Sequence, residues 1–410
     1  MAGLNSTPSG ERVHVGFFGV RNAGKSSLVN AVTGQDLAVV SDVAGTTTDP
    51  VRKAMELLPL GPVLIIDTPG IDDEGDLGSL RVKKAKRALD STDVAVLVVD
   101  SAKDLGPVER DLIDSFRTRA VPYVIAWSKA DLVSSGHVRS NSPVEPDEKG
   151  CPFAQVSTSA IEGSGIELSK ETIASLRKDA GHERKLVSDL LEPGDVAVLV
   201  VPIDSAAPKG RLILPQQQVI RDCVEAGILA CVTSVEGLAD TLDSFVKPPR
   251  LVITDSQAFG QVARIVPEEL PLTSFSILMA RYKGTLREQI GAVRALEELG
   301  DGDMVLISEG CSHHRQCGDI GTVKLPAFIR GICGAQPRFD FTSGGEFPSD
   351  LSAYAAVVHC GGCMLNEREM QHRASVAAEQ GVPFTNYGMA IARANGILER
   401  SLAPLGDMEG

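Results

Sequence analysis

The stretch Val13-His-Val-Gly-Phe-Phe18-Gly19-Val-Arg-Asn22-Ala23-Gly24-Lys25-Ser26-Ser27, continued by Leu28, Val29, Ala31 and Val32, decides the fold. A short apolar strand runs into a glycine loop and then into helical spacing, the order a P-loop requires. Glycines let successive backbone N–H groups turn toward phosphate oxygens. Lys25 adds a point charge at the β and γ oxygens, and Ser26 offers its hydroxyl to Mg²⁺. Gly19, Asn22, Ala23, Gly24, Lys25, Ser26 and Ser27 are therefore the expected phosphate-binding residues of an α/β domain.

Downstream parts follow in the order a GTPase needs. Val63 to Ile66 is an apolar strand ending in Asp67-Thr-Pro-Gly70, where Asp67 can hold a water on Mg²⁺ and the Gly70 N–H can meet a γ-phosphate. Tyr123 to Ala126 is another strand, and it closes on Trp127-Ser128-Lys129-Ala130-Asp131. A carboxylate at Asp131 can take both hydrogens of the guanine N1 and N2 edge, which adenine does not offer. GTP is therefore expected over ATP. Ser157-Thr-Ser159-Ala160 resembles the loop whose backbone N–H meets guanine O6.

Together these motifs resemble the TrmE/Era-like class of small GTPases over about residues 12 to 178. In that class the base motif is Asn-Lys-x-Asp; here Ser128 stands for Asn, which implies weaker affinity with unaltered specificity. Asp42-Val-Ala-Gly45-Thr46-Thr47-Thr48-Asp49 resembles the first switch of the class, which makes Thr47 the second Mg²⁺-binding hydroxyl, with Thr46 the alternative. Ile71 stands where other GTPases carry a water-positioning Gln, so slow intrinsic hydrolysis is expected. Asn22 resembles the asparagine that helps hold K⁺ in potassium-activated members. The expected catalytic set is Lys25, Asn22, Thr47 and Gly70.

Composition narrows the partners. The chain has 410 residues, 43% of them hydrophobic, enough for two or three domains with their own cores. A net charge of −14 opposes nucleic acid as a partner. There is no apolar run of membrane-spanning length, and the start of the chain lacks the basic and apolar regions of a signal peptide, so the expected location is the cytoplasm. Eight cysteines are too few and too scattered for a disulfide framework. Cys151, Cys223, Cys231, Cys317 and Cys333 are assigned to packing.

Ser134 to Gly150 reads as a polar surface loop within a GTPase domain of residues 1–178. A second, small α/β domain is expected over 183–250, with strands near Asp195–Pro202 and Ile228–Val235 and a helix over Pro215–Ala226. Its exposed sheet edges suggest a dimerisation domain. From 251 to 410 short apolar runs (Leu251–Thr254, Leu272–Leu278, Met304–Ser308, Ala355–His359, Pro383–Tyr387) alternate with helical periods, which predicts a third α/β layer with a mainly parallel sheet. Ligands gather at the carboxyl ends of such strands. Cys311-Ser-His313 follows one strand there, and His359-Cys360-Gly-Gly-Cys363 follows another. Thiolates suit both zinc and iron-sulfur clusters, and spacing alone leaves both open.

These two cysteine segments, behind a P-loop domain and a small middle domain, closely resemble the HydF family of [FeFe]-hydrogenase maturation GTPases. The resemblance covers nearly the whole chain. It implies a [4Fe-4S] cluster on Cys311, Cys360 and Cys363, with His313 or His359 as the candidate fourth ligand. It also implies a homodimer, or a tetramer built from such dimers, which receives a two-iron precursor from two radical-SAM maturases and delivers it to the apo-hydrogenase. The competing expectations are a tRNA-modification GTPase and a redox-sensing GTPase with a closed structural metal site.

Overall fold

A computed structural model describes residues 7–35, 50–71, 75–134, 139–178, 184–202, 212–311 and 320–406. The chain divides into two compact units, Met1–His182 and Glu183–Gly410. Among the described residues no helix is long and apolar enough to cross a membrane.

The first unit is built on strands β1 (Val13–Phe18), β2 (Val51–Leu57), β3 (Gly61–Asp67), β4 (Val94–Asp100), β5 (Tyr123–Ser128), β6 (Ser142–Pro146) and β7 (Pro152–Ser157). They lie in the order β2-β3-β1-β4-β5-β7-β6. The five central strands are parallel, and each edge strand runs antiparallel to its neighbour. β4 and β5 are apolar along nearly their whole length because both faces of the sheet are covered. Helices α1 (Lys25–Thr33) and α4 (Ile166–Lys178) pack Leu28, Val29 and Ile173 on one face. α2 (Gly75–Leu89) and α3 (Pro107–Thr118) pack Ala85, Leu112 and Phe116 on the other.

The second unit carries two four-stranded sheets, each wholly parallel. β8 (Val196–Val200), β9 (Leu229–Thr233), β10 (Leu251–Thr254) and β11 (Leu272–Ser274) lie in the order β11-β10-β8-β9. β12 (Met304–Glu309), β13 (Arg338–Ser343), β14 (Ala356–His359) and β15 (Phe384–Asn386) lie in the order β13-β12-β14-β15. Connecting them are α5 (Leu214–Glu225), α6 (Leu238–Asp243), α7 (Phe259–Ile265), α8 (Phe275–Tyr282), α9 (Leu286–Val293), α10 (Leu325–Cys333), α11 (Glu367–Glu379), α12 (Tyr387–Ala394) and α13 (Leu398–Leu402). One continuous core joins Val198 and Val252 of the first sheet to Val305 and Val358 of the second through Leu278 and Ile391. The first sheet spans residue 250, where the sequence reading sets a domain boundary, since β10 pairs with β8 in register Leu251 to Ala197.

Several sequence expectations are corrected. Within Ser134–Gly150, Ser142–Pro146 forms the edge strand β6 on β7. The short, polar, proline-bearing stretch carries no apolar run to mark it as a strand, and as an edge strand it tolerates Pro143. β2 and β13 went unforeseen for the same reason, being mostly exposed edge strands with charged residues. Leu272–Leu278 is not one strand. The Ser274 hydroxyl accepts from the Ile277 N–H at 3.3 Å and starts α8, just as the Asn386 side chain accepts from Met389 N–H at 2.9 Å and starts α12.

The turn after β6 is held by a part-buried ion pair. Asp147 accepts from Arg117 Nε at 2.6 Å, from the Tyr123 hydroxyl at 2.9 Å, and from the N–H groups of Lys149 and Cys151 at 2.9 Å each. Burial works to raise the Asp147 carboxyl, but Arg117 and the two N–H groups hold it at about 2. A depressed carboxyl contributes stability that is present above its unfolded value, near 4, and lost as pH falls toward 2. Asp147→Ala is therefore expected to destabilise the chain by about 3 kcal/mol in urea unfolding at neutral pH. The difference from wild type should shrink between pH 4 and pH 2, whereas a surface-loop residue would show almost no loss.

Candidate functional site

The P-loop links β1 to α1. Gly19 sits at φ 155°, and a side chain there would meet the Val98 carbonyl 2.6 Å away. Asn22 adopts φ 62°, a left-handed conformation that Asn tolerates better than most residues. Lys25 is 8% exposed and ion-pairs with the Asp67 carboxylate, so the groups expected at phosphate and Mg²⁺ face one another. Ser26 is half-buried and Ser27 exposed at the start of α1.

The loop after β3 closes against the P-loop through backbone bonds. Ile71 N–H donates to the Gly19 carbonyl at 3.1 Å, and Arg21 N–H to the Ile71 carbonyl at 3.4 Å. A Cβ on Gly70 would lie 3.0 Å from Arg21 Cα, which accounts for glycine there. Ile71 itself is 2% exposed and packs into the core with Phe18 and Leu97. Thr46 and Thr47, with the rest of residues 42–49, lie outside the described residues.

On the base side, Ser128 does more than its sequence position suggested. Its hydroxyl donates to the Ala23 carbonyl and lies 3.1 Å from the Val99 carbonyl, bracing the P-loop on β5 and β4. Lys129, at φ 58°, donates from Nζ to the Asn22 carbonyl at 2.7 Å and pairs with Asp100 at 2.7 Å. Burial opposes the charged Asp100, yet the Lys129 hydrogen bond keeps its carboxyl below the usual range. Asp131 accepts from the Ser159 hydroxyl at 2.6 Å, and the Ser159 N–H donates to the Ser164 carbonyl at 3.0 Å. The loops holding Asp131 and Ala160 are thereby locked together.

The cysteine segments meet at the carboxyl end of the third sheet. β12 and β14 pair in parallel with Ser308 opposite His359, and the ladder extends by one bond from Cys360 N–H to the Ser308 carbonyl at 2.9 Å. Cys311 and Cys360 therefore leave adjacent strands on the same edge. The Cys360 sulfur accepts from the N–H of Gly310 at 3.0 Å and of Gly362 at 3.4 Å. Burial pushes all three thiols up. Cys311 is pushed further by Cys360, Cys363 and Glu309, while Cys363 reaches about 12 through burial and Cys360, opposed by Lys283. The three sulfurs thus share one electrostatic neighbourhood. Among the described residues, no group of three or more His, Cys, Asp or Glu side chains is arranged to hold a single metal ion.

His359 is fully buried, with both ring nitrogens engaged. A guanidinium only donates, so Arg373 Nη1 donates to Nε2 at 3.0 Å, and the ring proton on Nδ1 donates to the Cys360 carbonyl at 2.7 Å. Burial, then the Arg373 charge, lowers the imidazole to about 3. Both ring nitrogens of His359, one of the two candidate fourth ligands, are thus engaged in hydrogen bonds in this arrangement. His313 and Cys317 lie outside the described residues. Cys151 and Cys223 are buried as packing residues, and burial raises Cys223 to about 11, with Asp222 adding.

Sequence reasoning missed Arg373, Glu309 and Lys283 beside the thiols. One signal was available for Arg373: it stands among Met370, Ala374 and Ala377 on the buried face of α11, where a cation needs a reason.

A P-loop domain joined to a second unit of two parallel four-stranded sheets defines a GTPase with an appended α/β unit. Three family models match the chain: a 50S ribosome-binding GTPase over residues 14–129, the hydrogen maturase F dimerization domain over 186–284, and the hydrogen maturase F tetramerization domain over 287–404. The chain belongs to the hydrogen maturase F family.

Curated relatives match the GTPase part. The tRNA modification GTPase MnmE of Chromobacterium violaceum is 34% identical over 38% of this chain and 33% of its own. GTPase Era of Crocosphaera subtropica is 31% identical over 39% and 51%, and GTPase Der of Wolinella succinogenes 35% over 42% and 36%. The chain thus spans between a third and about half of the length of these relatives. A crystal structure of Era in complex with MgGDPNP and 16S ribosomal RNA nucleotides overlaps 54% of this chain and 92% of its own, at 17% identity and a TM-score of 0.34.

Removing the Ser128 hydroxyl frees the Ala23 carbonyl of its brace. Ser128→Ala is expected to weaken GDP binding about five-fold, the equivalent of one hydrogen bond worth about 1 kcal/mol. Fluorescent-nucleotide titration measures this, and unchanged affinity would show that the brace is dispensable.

Proposed function

We propose that the chain is a GTP-hydrolysing scaffold for maturation of [FeFe]-hydrogenase, which carries a [4Fe-4S] cluster and delivers a two-iron precursor to the apo-hydrogenase. The observation that carries this reading is the convergence of Cys311, Cys360 and Cys363 at the ends of adjacent parallel strands, in a unit that matches hydrogen maturase F models.

In the nucleotide site, Lys25 and the Gly70 N–H neutralise charge developing on the γ-phosphate, while the N–H groups from Gly19 to Ser27 cradle the phosphates. Ser26, Asp67 and Thr47, with Thr46 its alternative, are the residues for Mg²⁺. Asp131 reads the guanine edge, Lys129 flanks the base, and of Ser159 and Ala160 it is Ala160 whose N–H is assigned to O6. Ile71 is buried and apolar, so no side chain at that position orients the water. Asn22 is the residue for K⁺, which would supply the charge that an arginine supplies elsewhere. Hydrolysis is accordingly expected to be several-fold faster in KCl than in NaCl at equal ionic strength, and equal rates would remove the K⁺ assignment.

The donor set fits a cluster. Burial, and at Cys311 and Cys363 the neighbouring sulfurs, hold these part-buried thiols back from ionising, an arrangement that a bound cation relieves, and two backbone N–H groups already point at the Cys360 sulfur. Cys311, Cys360 and Cys363 would hold the cluster, whose fourth iron would offer an exchangeable coordination position. The two-iron precursor is cargo, received from two radical-SAM maturases. The chain would work as a homodimer or a tetramer in the cytoplasm.

Anaerobic purification with iron, sulfide and zinc analysis tests the reading. Iron and sulfide near four each per chain are expected, and zinc without sulfide would defeat it. Because thiolates are the ligands and the thiols are held protonated, loading should release protons and improve as pH rises from about 6.5 to 8.5. A pH-independent yield would contradict the thiol assignment.

A further inference from the structure

Arg373 is the largest fully buried side chain of the described residues. It stands on α11, one turn after Glu369, and its guanidinium is surrounded by specific partners. Nη1 donates to His359 Nε2 at 3.0 Å, Nη2 to the Gly344 carbonyl at 2.8 Å and to Glu369 Oε1 at 2.8 Å, and Nε to the same carboxylate oxygen at 3.0 Å. Its charged carbon lies 5.2 Å from the Phe347 ring centre. His359 passes the contact on, donating from Nδ1 to the Cys360 carbonyl. Burying a guanidinium is costly, so a fully enclosed one marks either a structural ion pair or a charge that a neighbouring site uses.

The position of the charge separates these alternatives. A structural pair needs only Glu369, yet Arg373 spends one nitrogen on a neutral imidazole whose other ring nitrogen donates to the backbone carbonyl of Cys360.

We propose that Arg373 is a positioning residue for the cysteine site: through His359 it holds the Cys360 loop, and it places a permanent cation, balanced by Glu369, beside the cluster thiolates. This rests on the reading of Cys311, Cys360 and Cys363 as cluster ligands. A bound cluster gains a negative charge on reduction, so a fixed cation nearby favours the reduced form and a fixed anion disfavours it. Arg373 and Glu369 therefore act on the reduction potential with opposite signs.

The test uses the full-length chain, reconstituted anaerobically with ferrous iron and sulfide, and a potentiometric titration followed by electron paramagnetic resonance. Arg373→Gln is expected to shift the midpoint to more negative potential, Glu369→Gln to more positive potential, and Arg373→Lys, which keeps the charge, to return toward wild type. Iron and sulfide content should be retained in each. A purely structural ion pair would lower cluster content in Arg373→Gln and Glu369→Gln alike, without opposed shifts. Unmoved midpoints, or shifts of the same sign, would overturn the proposal. Should Arg373→Gln fail to fold by circular dichroism, Glu369→Gln decides alone, since an unmoved or more negative midpoint there contradicts it. Wild-type chain that takes up no iron and sulfide would instead defeat the cluster reading itself, and this proposal with it.

Discussion

Parallel strand pairing is the constraint on which the rest of this structure depends. In a parallel sheet every strand presents its carboxyl end to the same edge, so the loops that follow neighbouring strands are gathered there whatever their separation in sequence. In the first unit this brings the loops after β1, β3, β5 and β7 together: the glycine loop, Asp67–Gly70, Ser128–Asp131 and Ser159–Ala160. In the second it brings Cys311 beside Cys360, although 49 positions separate them in the chain, because Ser308 and His359 are register partners. Antiparallel pairing is confined to β2 and β6, edge strands outside the set that carries these loops.

Both sites also show how a polar group earlier read as a ligand or a defect is used for bracing. Ser128, in place of the usual Asn, spends its one hydroxyl proton on the P-loop carbonyl of Ala23. His359, next to a ligating cysteine, spends its ring proton on a carbonyl and its lone pair on Arg373. In each case the side chain fixes backbone beside the site and leaves the ligand-binding role to its neighbours. Buried polar groups are costly unless fully partnered, and a fully partnered group is a rigid one.

Much of this was legible in the residues. The strand, glycine loop and helix at Val13–Val32 carry their own periodicity, and the strands β5, β8, β12 and β14 are apolar runs because both faces of their sheets are covered. The edge strands β2, β6 and β13 were not legible: they are short, largely exposed and interspersed with charged, polar or proline residues, so they carry no apolar run. The strands β11 and β15 lie within runs that were read as apolar but stop earlier than those runs, after three residues, because Ser274 and Asn386 cap helices. Periodicity had carried both runs on as strands.

Sequence by itself determined the chemistry available: a lysine, a serine and an aspartate at P-loop spacing, a carboxylate suited to guanine, and three thiols after apolar runs. These follow from short-range order, because a residue's functional groups and its neighbours along the chain are set before folding. Tertiary structure alone decided which of those groups are free to act. His359 lost its lone pair to Arg373, which stands 14 positions away, and Asp147 became a buried anchor only when Arg117 and Tyr123 closed on it. Burial and partnership are properties of the packed core, and no local pattern records which distant side chain will supply the proton.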